Sequence, residues 1–156
     1  MLKLNLGSGM DRKEGFVNID IIEKFNPDMI FDVSKPLPYN AESVDEIYCK
    51  DILEHLNKYD AQFAFKNWVS KLKKNGKITV IVPNIEAIIS GLKGETLVSL
   101  LFGEVMFMGI NTGNFGTHKW GYAEESLRKL FEENGLIIEK LCPIDGTNLL
   151  CIGNKR

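Results

Sequence analysis

The fold is indicated by a short run near the beginning of the chain, Leu4-Asn5-Leu6-Gly7-Ser8-Gly9. Apolar and polar residues alternate up to Leu6, which predicts a short strand that ends where the glycines begin. Glycine lets the backbone turn tightly and brings bare N–H groups close to a ligand. A second apolar run at residues 16–19 leads into Asp20. This order is typical of the first half of a nucleotide site, with a plain turn beside a surface acid as the alternative.

The composition fits an ordinary globular domain. The chain has 156 residues, of which 44% are hydrophobic, so it can bury a core of usual size. Its 19 basic and 21 acidic residues give a net charge of −2, so the chain lacks the excess of basic residues that is typical of a nucleic-acid binder. No apolar run reaches the roughly 20 residues of a membrane span, and no secretory signal is recognised. We therefore expect a cytoplasmic protein with no nucleic-acid partner and no membrane span.

The cysteines favour reduced thiols. Cys49, Cys142 and Cys151 are odd in number and widely spaced, without a C-x-x-C pair. This pattern argues against a disulfide framework and against a zinc site, so no metal ligand is predicted.

The rest of the chain alternates strands and helices. Residues 10–15 are too few for a crossover helix, so this helix is expected to be missing or a single turn. Periodicity predicts strands at residues 29–33, 44–49, 77–82, 136–141 and 148–152, and helices at residues 57–74 and 124–134. The last two strands are too close for a crossover and should form a hairpin. The prediction is one three-layer α/β domain over residues 1–156, with a mostly parallel sheet and one antiparallel strand near its end.

Five motifs follow one another along the chain. They are the loop at residues 4–9, Gly15-Phe16-Val17-Asn18-Ile19-Asp20-Ile21, Asp32-Val33 with Leu37-Pro38-Tyr39, Val44-Asp45-Glu46-Ile47-Tyr48-Cys49 running into Leu53-Glu54-His55-Leu56, and Leu72-Lys73-Lys74-Asn75-Gly76-Lys77 before Val82-Pro83-Asn84. In this order they resemble the class I S-adenosylmethionine-dependent methyltransferases, and among them the small bacterial type 11-like branch.

The resemblance implies a Rossmann-like methyltransferase sheet. The chain departs from the family at Asn5, where an acid is common, and at Asp11, where a third glycine is common. The helix that usually precedes the first strand is not expected here.

The resemblance implies methyl transfer with S-adenosylmethionine as cofactor and S-adenosylhomocysteine as product. The backbone amides of Gly7, Ser8 and Gly9 would face the methionine carboxylate. Asp20 would accept hydrogen bonds from both ribose hydroxyls, which suits a carboxylate with two acceptor oxygens.

The same resemblance implies contacts for the rest of the cofactor. Ile21 would pack on the adenine, and Asp32 with the Val33 amide would bind the adenine edge. Cys49 and Lys50, at the end of the fourth strand, would line the methionine side of the cleft.

The two histidines are the candidate catalytic residues, because a general base is needed only if the acceptor must lose a proton. His55 belongs to a motif of the family, with a structural histidine as the alternative. His118 stands beside aromatic residues and suits an acceptor wall, with a loop packed down by Trp120 as the alternative. Asp51 and Glu54 are expected to be surface or capping groups.

An apolar insertion at about residues 85–117 has three interpretations: a lid over the acceptor, a face for homo-oligomers, or a lipid-facing patch. The acceptor itself is expected to be a small molecule or a sugar-containing compound. A non-catalytic cofactor binder, acting as a sensor or partner subunit, is the alternative function. An NAD enzyme is disfavoured because Arg12 stands where the last glycine of G-x-G-x-x-G is required.

Overall fold

The computed structural model describes residues 1–104, 106–107 and 109–156, except for the side chain of Met106. Val105 and Met108 of the insertion therefore lie outside the described residues. The strands are β1 (Lys3–Leu6), β2 (Val17–Asp20), β3 (Met29–Ile30), β4 (Val44–Lys50), β5 (Leu72–Pro83), β6 (Met106–Phe107), β7 (Ile110–Asn111), β8 (Leu136–Ile144) and β9 (Asn148–Lys155). The helices are α1 (Lys58–Lys71), α2 (Ile85–Gly91), α3 (Gly94–Phe102) and α4 (Glu124–Glu133), with single 3₁₀ turns at Glu23–Phe25, Leu53–His55 and Gly113–Phe115.

Among the described residues, seven strands form one sheet in the order β3-β2-β1-β4-β5-β9-β8. The neighbours from β3 to β5 are parallel, whereas β9 is antiparallel to both β5 and β8. The predicted mostly parallel sheet and its closing hairpin are confirmed. The short strands β6 and β7 pair separately as an antiparallel hairpin.

The core lies between the sheet and helices α1 and α4. Side chains alternate along each strand, so Leu4 and Leu6 of β1 are fully buried on the helix-covered face. The two helices meet where the rings of Phe65 and Phe131 pack with their centroids 5.0 Å apart. The opposite face of the sheet is more polar, and Glu46 there forms ion pairs with lysines of the neighbouring strands.

No helix connects β1 to β2, as predicted, since residues 7–16 are all described and none is helical. A hydrogen-bond network holds this link instead. Asn5 Nδ2 donates to Asp11 O and to Asn18 Oδ1, both at 2.9 Å. Asn18 Oδ1 also accepts from Lys13 N at 2.8 Å. These two buried amides fasten the link to the strands, so the parallel pair forms without the usual crossover helix.

Two predicted elements have different bounds in the structure. The helix predicted at residues 57–74 ends at Lys71, because Leu72 already pairs with Val44 as the start of β5. Asn75, just beyond the predicted helix, has φ of 62° within a strand that is irregular at this point. The strand predicted at residues 29–33 is limited to β3, and the chain leaves the sheet after Ile30.

The helices of the described residues are all too short or too polar to cross a bilayer.

Candidate functional site

A cleft of about 1110 Å³ opens at the carboxyl ends of β1, β2 and β4. Ligands bind at this edge in open α/β sheets, because the loops that leave the strands diverge there. Ten of the eleven residues predicted for the site line this cleft, Cys49 being the exception: Gly7, Ser8, Gly9, Asp20, Ile21, Asp32, Val33, Lys50, His55 and His118.

The glycine loop turns sharply at the end of β1. Gly7 has φ of 64°, and a Cβ atom added there would lie 1.8 Å from Ile52 Cδ1. The position therefore excludes a side chain on two grounds, backbone conformation and space. The Ser8 amide donates to Ile19 O at 3.0 Å, and the Gly9 amide donates to Asp20 Oδ2 at 2.8 Å. These two amides, which were predicted to face a ligand, have acceptors within the protein.

Ser8 brings a different donor to the cleft. Its side chain is buried, and its hydroxyl has no hydrogen-bond partner among the described residues. A buried hydroxyl without a partner is unfavourable by about 1–3 kcal/mol. A polar ligand group in the cleft would remove this deficit.

Asp20 is fixed by the backbone around it. Its Oδ2 accepts from the Gly9 amide and its Oδ1 from the Ile22 amide, each at 2.8 Å. A carboxylate has about four acceptor sites, so roughly half of them stay available to a ligand. The side chain is 6% exposed and lines the cleft, which makes it a rigid acceptor rather than a surface acid.

The next two lining residues follow β3. Asp32 Oδ1 accepts from the Ser34 amide at 3.0 Å, which closes a tight turn. Val33 O accepts from the indole nitrogen of Trp68 at 2.9 Å, so α1 holds this turn against the core. The backbone that frames this end of the cleft is thereby anchored from both sides.

Cys49 and Lys50 differ in position although they are neighbours on β4. Lys50 is exposed and lines the cleft. Cys49 is fully buried in the hydrophobic core, and burial raises the pKa of its thiol well above the usual value. Adjacent residues of a strand point to opposite faces, which explains the difference.

The two histidines meet at the other end of the cleft. The amides of Lys119 and Trp120 donate to Glu54 O at 2.7 and 3.1 Å, which joins the loop after the insertion to the 3₁₀ turn after β4. This junction brings the rings of His55 and His118 to a centroid separation of 4.9 Å. The sequence predicted both residues as site residues, and the structure places them in contact.

Hydrogen bonds and burial define the state of these rings. His55 Nδ1 bonds to Thr117 O at 3.1 Å, and His118 Nδ1 bonds to Leu100 O at 3.0 Å. Because a carbonyl only accepts, each Nδ1 carries a proton and each Nε2 presents a lone pair. Burial lowers the pKa of His55 to about 4 and also lowers the pKa of His118, so both rings are neutral at neutral pH.

Glu54 was expected to be a surface or capping group, and this expectation is wrong. The side chain is 1% exposed, and neither carboxyl oxygen has a hydrogen-bond partner among the described residues. Burial raises its pKa well above the usual value. The local signal was present, because the acid is flanked by Leu53 and Leu56 in a turn directly after a buried strand.

The insertion covers part of the cleft. Phe107 of β6 packs edge-on against Phe25, with centroids 6.4 Å apart, and so connects the insertion to the turn after β2. Gly103 and Gly116 allow the covering segments to touch, since a Cβ added to Gly103 would lie 2.3 Å from Gly116 O. Other lining residues from the insertion are Ser99, Leu100, Glu104, Thr112 and Phe115.

No family model and no curated protein matches this sequence. Solved structures match it over nearly its whole length. An S-adenosylmethionine-dependent methyltransferase from Mesorhizobium loti aligns with a TM-score of 0.67 and 14% identity, covering 99% of this chain and 90% of that chain. One from Methanosarcina mazei aligns with a TM-score of 0.69 and 12% identity, covering 98% and 91%. The chain has the class I methyltransferase fold.

A third structure with this methyltransferase fold contains ligands. It is the 1,6-didemethyltoxoflavin-N1-methyltransferase of Burkholderia thailandensis, with 1,6-didemethyltoxoflavin and S-adenosylhomocysteine bound. Its TM-score is 0.65 at 12% identity, and the alignment covers 99% of this chain and 70% of that chain. The predicted fold class is therefore confirmed, whereas membership of the type 11-like branch stays a prediction.

Proposed function

We propose that this chain is an S-adenosylmethionine-dependent methyltransferase that acts on a small-molecule or sugar-containing acceptor. The observation that carries the proposal is the pre-oriented carboxylate of Asp20 beside the glycine loop, at the edge of the sheet where ligands bind. The methyltransferase fold of the chain supports it, and so does a cleft of about 1110 Å³, which has room for a nucleoside and a second molecule.

The residues of the cleft fit the cofactor. The unpartnered Ser8 hydroxyl can donate to a carboxylate and would hold the methionine end, while Gly7 and Gly9 on either side leave room for it. The free acceptor sites of Asp20 would bind the two ribose hydroxyls. The adenine would lie among residues that line the cleft beyond β2 and β3: Ile21, Asp32 and Val33.

The cofactor supplies an activated methyl group on a sulfonium, so the protein mainly has to position the acceptor and exclude water. Lys50 lines the cleft and would lie on its methionine side, whereas Cys49 is in the core and supports this edge from behind. The insertion covers part of the cleft through the contact of Phe107 with Phe25, and in this proposal it would restrict the access of water.

The acceptor end would be formed by His118 and His55. Their Nε2 lone pairs can accept a hydrogen bond or a proton from an acceptor group, because each Nδ1 proton is already engaged by a backbone carbonyl. We propose that these side chains orient the acceptor.

We also propose that residues 1–156 work as one cytoplasmic domain and that the insertion can join two copies. Large apolar side chains of α2 and α3 are exposed, with Ile89 at 58%, Val98 at 45% and Phe102 at 63%. Paired chains would remove these side chains from water. Analytical ultracentrifugation tests whether two copies associate, and a monomer at all accessible concentrations would contradict the association.

Calorimetric titration with S-adenosylmethionine, S-adenosylhomocysteine and NAD tests the proposed function. We expect both sulfur compounds to bind one per chain and NAD not to bind, and we expect Asp20→Ala to abolish measurable binding. Absence of binding by either sulfur compound would contradict the proposal. Binding without turnover on a broad acceptor panel would instead favour a non-catalytic sensor or partner subunit.

A further inference from the structure

Two imidazole rings and one buried carboxyl group meet at the acceptor end of the cleft. Ligand atoms of Glu54, His55 and His118 all lie within 4.8 Å of one another. All three side chains line the cleft. Glu54 and His55 come from the turn after β4, and His118 comes from the loop after the insertion, so only the folded chain assembles the group.

Both rings are held in the orientation that metal-binding histidines use. Each Nδ1–H donates to a backbone carbonyl, that of Thr117 for His55 and that of Leu100 for His118, at 3.1 and 3.0 Å. A hydrogen bond of this kind from Nδ1 fixes the tautomer and the ring plane, and leaves Nε2 to bind a metal ion.

Glu54 supplies a carboxyl group without a hydrogen-bond partner. It is 1% exposed, and both of its oxygens lack a partner among the described residues. Burying an unpaired carboxyl group is strongly unfavourable, and a bound cation removes the deficit. A cavity of about 20 Å³ touches both Glu54 and His118, which is room for one ion or one water molecule.

We propose that Glu54, His55 and His118 bind one divalent transition-metal ion of the Zn²⁺ type at the acceptor end of the cleft. Two imidazole nitrogens with one carboxylate oxygen suit such ions, whereas Mg²⁺ and Ca²⁺ prefer oxygen ligands throughout. Bonds of about 2.0–2.2 Å bring ligand atoms closer together than 4.8 Å, so any pair at that upper limit moves inward when the ion binds.

Three protein ligands leave coordination positions open towards the cleft. Such positions bind water or an oxygen or nitrogen atom of a small molecule. That this molecule is the methyl acceptor rests on the proposed function, whereas the binding of the metal ion does not. The acceptor would then be a compound with an oxygen or nitrogen donor atom next to the methylated position.

Metal titration of the full chain, purified without a histidine tag and stripped by a chelator, tests the site. We expect one Zn²⁺ per chain by calorimetry. We expect Co²⁺ to give visible d–d bands of nitrogen and oxygen ligation, without thiolate charge-transfer absorption. Glu54→Gln, His55→Ala and His118→Ala should each weaken Zn²⁺ binding at least about ten-fold. Glu95→Gln, exposed on α3, and Cys142→Ser are matched controls that should bind like the parent.

Three results would overturn the metal site: no saturable Zn²⁺ binding by the parent, unchanged affinity in all three ligand variants, or a Co²⁺ thiolate band lost in Cys142→Ser. Even if a variant fails to fold, the Co²⁺ spectrum of the parent still tests the ligand set, because it distinguishes nitrogen and oxygen ligands from thiolates. Titration of the parent with S-adenosylhomocysteine separates the two proposals. If the parent binds Zn²⁺ but not S-adenosylhomocysteine, the metal site stands and the proposed function is contradicted. If the parent binds S-adenosylhomocysteine but not Zn²⁺, only the metal site is contradicted.

Discussion

Asp20 is held in one orientation before any ligand binds, because two backbone amides share its carboxylate. A ligand hydroxyl then meets an acceptor that loses little conformational entropy on binding. The amide of Gly9 is part of this arrangement, so the loop and the acid form one rigid unit. The loop therefore positions the carboxylate, in addition to lining the cleft itself.

Asp20→Asn should weaken binding of S-adenosylhomocysteine by about ten- to a hundred-fold, equivalent to the loss of about 1.5–3 kcal/mol from charged hydrogen bonds. The amide NH₂ group would also face a backbone N–H, which disturbs the loop. Calorimetry measures the affinity, and Glu125→Gln on the exposed side of α4 is the control. Equal affinity of Asp20→Asn and parent would place the ribose elsewhere.

Gly7→Ala should destabilise the protein more than Gly9→Ala. Both residues have positive φ, at 64° and 48°, so both variants lose about 1–2 kcal/mol to backbone strain. Only the Gly7 variant adds a clash, with Ile52 Cδ1 1.8 Å from the new Cβ, whereas nothing lies within 4 Å at Gly9. Urea denaturation compares the free energies of unfolding, and equal losses would show that Ile52 moves aside freely.

The polar network around Asn18 takes the place of a crossover helix between β1 and β2. Asp28 completes this network, since its Oδ2 accepts from the backbone amide and the side-chain amide of Asn18 at 2.8 and 2.9 Å. Arg12 donates to Asp28 Oδ1 and thereby ties the far end of the link to the same carboxylate. The parallel pairing of β1 and β2 thus depends on side-chain hydrogen bonds more than on helix packing.

Asp28 should make stability depend on pH in the acid range. Hydrogen bonds from the Asn18 amide, followed by that from Arg12, lower the pKa of Asp28 from 3.8 to about 2. The stabilisation is therefore fully present above about pH 4 and is lost as the pH falls towards 2.

Asp28→Asn should consequently be less stable than the parent at about pH 7, and the difference should shrink towards zero near pH 2. Urea denaturation across this range measures it. A difference that stays constant down to the lowest pH would contradict the assigned role of the carboxylate. Glu125→Gln, which is exposed on α4, serves as the control for a surface charge.

The insertion should act as a cover through Phe107. Phe107→Ala removes its edge-on contact with Phe25, which is worth about 0.5–1.5 kcal/mol, so dissociation of S-adenosylhomocysteine should become about two- to ten-fold faster. Phe102→Ala is the matched control, because Phe102 is 63% exposed and lies outside the cleft lining. Equal dissociation rates in stopped-flow experiments would show that the contact does not restrain the cover.

Local patterns of apolar residues in the sequence predicted most of the sheet of the molecule. Alternating or continuous apolar runs identified the strands, and the short spacing of the last two identified β8 and β9 as a hairpin. The end of α1 was not predictable in this way. Its helical pattern includes Leu72, and only the pairing of Leu72 with Val44 across the sheet ends the helix before it.

The candidate site shows the same limit. Residues at the carboxyl ends of the strands, such as Asp20, could be predicted because these ends meet at one edge of a parallel sheet. The cluster of Glu54 with His118 could not, since it depends on the backbone bonds from Lys119 and Trp120 to Glu54 O. The family resemblance implied a place on the cleft for Cys49 at the end of the fourth strand, whereas the alternation of β4 puts its side chain in the core.

A crystal structure of the complex with S-adenosylhomocysteine would test whether the cofactor binds at Asp20. We predict both ribose hydroxyls within hydrogen-bond distance of the Asp20 carboxylate. We also predict the methionyl carboxylate beside the Ser8 hydroxyl, and the sulfur atom directed towards His55 and His118. A ligand bound away from Asp20, or crystals that bind none at saturating concentration, would contradict these predictions.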